Sequence, residues 1–139
     1  MYCVDASLVA RIITGSMNQE ITSLVDQWRL TETVLVAPSL LDYEIANTFH
    51  RKCAEGLSDS MIRRVPDFLK AMSIQHVDDH LLQFESLSIA KYCGHPAPYD
   101  AHYLAVAIRY NAEFWTCDRR LFNSVRSRFD WARFADPDA

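Results

Sequence analysis

The chain has 139 residues, half of them hydrophobic, with three Gly and five Pro, which suits one globular domain with a core of ordinary size. Its formal net charge is −4, from 14 Lys plus Arg against 18 Asp plus Glu, which excludes a bulk nucleic-acid coat and requires any polyanion to meet a local patch. Asp5 and Arg11 interrupt the apolar opening MYCVDASLVARII and no longer apolar run follows, so neither a signal peptide nor a membrane span is expected, and the protein is read as soluble and cytoplasmic.

YCV (2–4) reads as a strand, SLVARII as a turn or two of helix, and EITSLVDQWRL as a helix with apolar residues at helical spacing. VLVA (34–37) is a second strand. Pro38 and Ser39 can open the helix that runs to Gly56, and Ser58 suits an N-cap. Pro66 inside DSMIRRVPDFLKAM predicts a kink or a split there. SIQHV is a third strand, DHLLQFESLSIAKYCG a helix stopped by Gly94, and HPAP a stiff connector to the helix PYDAHYLAVA (98–107). EFWTC (113–117) is a fourth strand, DRRLFNSVRSR a helix and WARFA a short edge strand. Residues 1–135 form the expected domain, and 136–139 a loose tail. Strands separated by helices imply crossover connections, hence a mostly parallel sheet between helical layers. Cys3, Cys53, Cys93 and Cys117 lie too far apart in sequence for a structural zinc motif and read as reduced thiols.

The acids are placed unevenly in this pattern. Asp5 and Asp118 each follow a strand, at the sheet edge where α/β proteins bind ligands. Asp100 heads a helix whose Leu104, Ala107 and Ile108 share its face, so an inward-pointing carboxylate is expected. Glu44 borders the buried stripe of Leu41, Ile45 and Phe49, with Asp42 on nearly the opposite side. Taken singly, Asp5, Asp100 or Asp118 is better read as a helix cap contributing roughly 1 kcal/mol, and Glu44 as a partly exposed helical acid. Four acids at one edge would repel each other unless neutralised, and all-oxygen ligands suit Mg²⁺ or Mn²⁺. Thr116 shares a strand face with Asp118, Asn47 lies one helical turn beyond Glu44, and Ser7 is near Asp5. All three suit supporting roles, with turn or cap bonding about equally good for Ser7. His102, offset by two from Asp100, falls on the far side of its helix, and the scattered His50, His76, His80 and His95 are not read as zinc ligands.

At these residues the sequence resembles the PIN domain family, and particularly its VapC-type ribonuclease toxins. The matching segments are VDASLV around Asp5, PSLLDYEIANTF around Glu44, YDAHYLAVA around Asp100 and WTCDRRL around Asp118, in family order over nearly the whole chain. The resemblance implies a three-layer α/β/α fold with about five strands and a Mg²⁺- or Mn²⁺-dependent single-strand endoribonuclease. It also implies a homodimer inhibited by a small antitoxin, with Asp5, Glu44, Asp100 and Asp118 as catalytic, metal-binding acids and Thr116 and Asn47 in support. Where some relatives carry a further acid, Arg119, Arg120, Leu121, Phe122 and Asn123 follow Asp118, which leaves one ion or two open.

The expected chemistry is phosphodiester hydrolysis by metal-activated water, and the family resemblance implies a 5′-phosphate and a 3′-hydroxyl as products. Asp5, Asp100 and Asp118 are the expected direct ligands, and Glu44 a ligand, a water-mediated ligand or a base. Arg119 and Arg120 can contact RNA phosphates, although an exposed helix face explains them nearly as well. An aspartyl phosphatase would need an acid where Ser7 stands, and a receiver domain an acidic pair after the first strand and a Lys near the last, which Lys52, Lys70 and Lys91 do not supply. The remaining rival is a catalytically silent PIN-like module that binds RNA or protein.

Overall fold

A computed structural model describes residues 1–139. β1 (Tyr2–Val4) leads through α1 (Ala6–Thr14) and α2 (Gln19–Leu30) to β2 (Leu35–Pro38). α3 (Leu40–Ala54) and α4 (Asp59–Met72) lead to β3 (Gln75–Val77). α5 (His80–Cys93) and α6 (Tyr99–Arg109) cross back to β4 (Glu113–Thr116), and α7 (Arg119–Val125) precedes β5 (Ala132–Phe134). The five strands form one all-parallel sheet in the order β3-β2-β1-β4-β5, so the mixed α/β expectation and the strand count are met.

β1 is central because its neighbours shield it on both sides: Tyr2 pairs with Leu35 of β2 and with Glu113 of β4. Cys3 and Phe114 are paired and fully buried, as a strand covered on both faces demands. α6 lies across β2, β1 and β4. Its buried Ala101, Ala105 and Ala107 let the helix approach the sheet closely, while Tyr103 and Leu104 fill the space between, and Tyr103 meets the Phe114 ring at 6.1 Å. α5 packs on α6 through the small buried residues Ser86 and Ala90. α1 packs against α3 and α4, burying Leu8, Val9 and Ile13. Each fully buried aliphatic side chain of this kind contributes about 1.5–3 kcal/mol.

Some local expectations change. α4 runs unbroken through Pro66: the residue is exposed, so the carbonyl left without an N–H partner lies on the side of the helix open to water. β3 is shorter than SIQHV because Ser73 caps α4 in the left-handed conformation at φ 51°. α7 ends at Val125, three residues before the expected stop. Ile108, expected in the buried stripe of α6, is 48% exposed. The tail is tethered at Asp136, which accepts from Arg119 at 3.0 Å and whose carbonyl accepts from Asn18 at 2.6 Å. No helix is long and apolar enough to cross a membrane.

Candidate active site

The strand order reverses at β1. The chain builds outward from β1 to β2 and β3, then returns to place β4 on the other side, so a crevice opens past the C-terminal ends of β1 and β4. Asp5 and Asp118 stand there because Asp5 is the first residue after β1 and Asp118 the second after β4. Both also cap the following helix: Asp5 Oδ1 accepts from the Leu8 N–H at 3.1 Å, and Asp118 Oδ1 from the Leu121 N–H at 3.0 Å. Asp100, in contrast, caps nothing; α6 begins after Pro98 without a side-chain cap.

Asp5 is 5% exposed. The Ser7 hydroxyl donates to its Oδ1 at 2.6 Å and the Thr116 hydroxyl to its Oδ2 at 2.5 Å. Ser7 Oγ in turn accepts from the Cys117 N–H at 2.9 Å, and Thr116 Oγ1 from the Asp118 N–H at 2.9 Å. These bonds stitch the end of β1 to the end of β4. Burial raises the Asp5 pKa to about 6, against the lowering effect of its three donors.

Glu44 reaches the crevice from α3. Its Oε1 accepts from the Tyr103 hydroxyl of α6 at 2.5 Å. Burial raises its pKa, Tyr103 opposes that shift, and the charge of Asp100 adds to it. Asp100 is more open than an inward-pointing residue would be, yet partial burial and the nearby Asp118 push its pKa upward while His95 and Arg120 pull it down. Asp42 lies elsewhere, 3.0 Å from His76, and His102 faces the Pro98 carbonyl at 2.7 Å.

Asp5, Ser7, Glu44, Asn47, Asp100 and Asp118 line one cleft of about 430 Å³, with Thr116 beneath it. Four residues that the sequence reading missed share this space: Tyr103, Arg11, Arg51 and Lys52. Helical spacing contained the signal for the cations, since Arg11 is four residues after Ser7, Arg51 four after Asn47 and Lys52 four after Thr48. None of the three cations is in a salt bridge. Glu44, Asp100 and Asp118 also border a second cleft of about 490 Å³ that contains Arg120. Arg119 borders neither: it pairs with Asp136 and lies over the Phe134 ring at 4.7 Å.

As the side chains stand, no three acids come together closely enough to hold a metal ion. The donor chemistry nonetheless fits a hard divalent cation, because the ligands are all oxygen and three of the four carboxyls have raised pKa values that a nearby positive charge would relieve. A cation would have to draw the carboxylates inward.

Comparison with curated proteins finds no match. Among solved structures the fold is similar to PAE2754 from Pyrobaculum aerophilum, at 26% identity and a TM-score of 0.67, covering 88% of this chain and 84% of that one. It is also similar to FitAcB from Neisseria gonorrhoeae, at 18% identity and a TM-score of 0.60, covering 99% and 98%, a likeness of fold alone. The PIN domain model matches residues 2–127, a span that contains both strands and both helices that carry the four acids. Sequence match and sheet-edge geometry therefore agree that the chain belongs to the PIN domain family, whose members are typically metal-dependent nucleases.

Proposed function

We propose that the protein is a Mg²⁺- or Mn²⁺-dependent single-strand endoribonuclease acting as the toxin of a toxin-antitoxin pair. The observation that carries the nuclease reading is the charge arrangement at the β1–β4 crevice. Four acids adjoin Arg11, Arg51 and Lys52, cations with no carboxylate partner. An acidic centre flanked by free cations suits a metal ion meeting a phosphodiester backbone.

Asp5, Asp100 and Asp118 would hold the ion, with Glu44 as a further ligand or a base. When bound, the ion supplies an activated water and charge stabilisation at the phosphoryl oxygens. Ser7 and Thr116 fix the Asp5 carboxylate, Tyr103 fixes Glu44, and the cations hold the flanking phosphates in register with the acids. Asn47 is placed to orient Glu44 or a water. The small antitoxin and the homodimer rest on the resemblance to VapC-type toxins. The apolar outward side of α5, with Leu81, Phe84 and Leu87 at least half exposed, supports pairing of two copies.

The test is cleavage of single-stranded RNA by the purified chain with Mn²⁺. The Asp5→Asn and Asp100→Asn variants should lose activity at least ~100-fold while keeping the native circular dichroism spectrum. The rival silent module predicts no Mn²⁺ binding in a calorimetric titration of the wild-type chain. Full activity in both variants would overturn the site assignment.

A further inference from the structure

The second cleft differs in chemistry from the cation-lined first one. Tyr99, adjacent to Asp100, borders it and is 61% exposed. Arg120 borders it too and is in no salt bridge, whereas its neighbour Arg119 is committed to Asp136. His95 adds a polar feature. Ser124 uses its only proton on the Leu121 carbonyl at 2.7 Å, so the 3.2 Å contact with His95 Nε2 requires the imidazole to donate. His95 Nδ1, the other ring nitrogen, is then buried without a partner beside this cleft.

We propose that the second cleft is a nucleotide subsite, in which an unpaired base stacks on the Tyr99 ring while Arg120 holds the adjoining phosphate. The proposal rests on reading the acidic centre as a nucleic-acid cleavage site. An exposed aromatic beside a free guanidinium provides a π-face for a base and a fork for phosphate, a combination that selects single strands because paired bases cannot leave their stack. The two clefts meet at Glu44, Asp100 and Asp118, so a strand crossing both would pass the acids midway. The first cleft would hold it mainly by charge, and the second by one stacked base and one phosphate.

The experiment measures anisotropy of a fluorescein-labelled 12-nucleotide single-stranded RNA with the full chain in EDTA, over a range of salt. Tyr99→Ala should weaken binding about 5- to 150-fold without changing the salt slope, and Tyr99→Trp should restore it. Arg120→Ala should reduce the slope by roughly 0.7, the value for one single-strand phosphate. A scan of abasic nucleotides against the wild-type chain should find one position whose loss weakens binding and has no further effect in Tyr99→Ala. Wild-type affinity in Tyr99→Ala, or a changed oligomeric mass in that variant, would overturn the subsite even if Mn²⁺-dependent cleavage is intact. RNA binding that depends on Tyr99 in a chain that cleaves nothing would keep the subsite and overturn the nuclease. Absence of RNA binding by the wild-type chain in EDTA would overturn the subsite, while the nuclease reading stands or falls on Mn²⁺-dependent cleavage.

Discussion

Thr116 donates its hydroxyl proton to Asp5 Oδ2 at 2.5 Å across the seam between β1 and β4, and Thr116 Oγ1 itself accepts from the Asp118 N–H at 2.9 Å. One hydroxyl thus orients two of the acids. Thr116→Val keeps the shape but leaves the Asp118 N–H without its acceptor and Asp5 with one donor fewer, at a cost of about 1–3 kcal/mol. A fall in Tm of roughly 3–10 °C is expected, together with slower RNA cleavage. Thr116→Ser should recover both. Thermal melts and cleavage assays on the three proteins check the bond, and a Val variant equal to wild type would show that it holds nothing.

Asp5 makes the metal-free protein sensitive to pH. Its folded-state pKa of about 6 lies above the ordinary value of 3.8, so the proton binds the folded chain more tightly than the unfolded one. The stability from this group is fully present below about pH 4 and is lost as pH rises through 6. Near pH 7 the loss is on the order of 3 kcal/mol. In EDTA at pH 7, Asp5→Asn should therefore be more stable than wild type, and the difference should shrink as pH falls from 7 to 4. Mn²⁺ should raise the Tm of wild type at pH 7 but not that of the variant. Urea titrations at several pH values measure the first effect, and a variant less stable than wild type at pH 7 would contradict it.

Tyr103 tunes Glu44. Its hydroxyl donates to the carboxylate at 2.5 Å and opposes the upward shift that burial imposes. Tyr103→Phe should keep the packing against Phe114 and let the Glu44 pKa rise further. If Glu44 acts ionised, the acidic limb of the cleavage profile moves to higher pH, whereas activity well above the limb falls less. Rate measurements between pH 5 and 8 at fixed Mn²⁺ distinguish this shift from a uniform loss, which would mean that Tyr103 only supports the packing.

The alternation of strands and helices was legible because short apolar runs bounded by turn residues differ in length from helical patterns, and the acids at strand ends followed from it directly. Strand order was not legible, since the pairing of Tyr2 with both Leu35 and Glu113 depends on contacts remote in sequence. Asp100 misled because one face of a helix end can open onto a cleft, so stripe membership alone does not bury it. Tyr103 was missed although it sits among buried alanines, where a phenol needs a partner. The distinction between Arg119 and Arg120 required the position of Asp136, which sequence spacing does not supply.

The α5 surface allows a test of self-association. Leu81, Phe84 and Leu87 recur at spacings of three on its outward side, and Phe84 is 70% exposed, while the inward side is satisfied by α6. A hydrophobic helix face of this kind is expected to be covered in solution, and a second copy related by a twofold axis would cover it with the same residues. Phe84→Glu would then bring like charges together across the axis. Because Phe84 contributes little to the monomer's core, the variant should keep its fold and Tm within a few degrees while its mass by light scattering halves. A wild-type chain that is already monomeric, or a variant of unchanged dimeric mass, would remove α5 as the pairing surface.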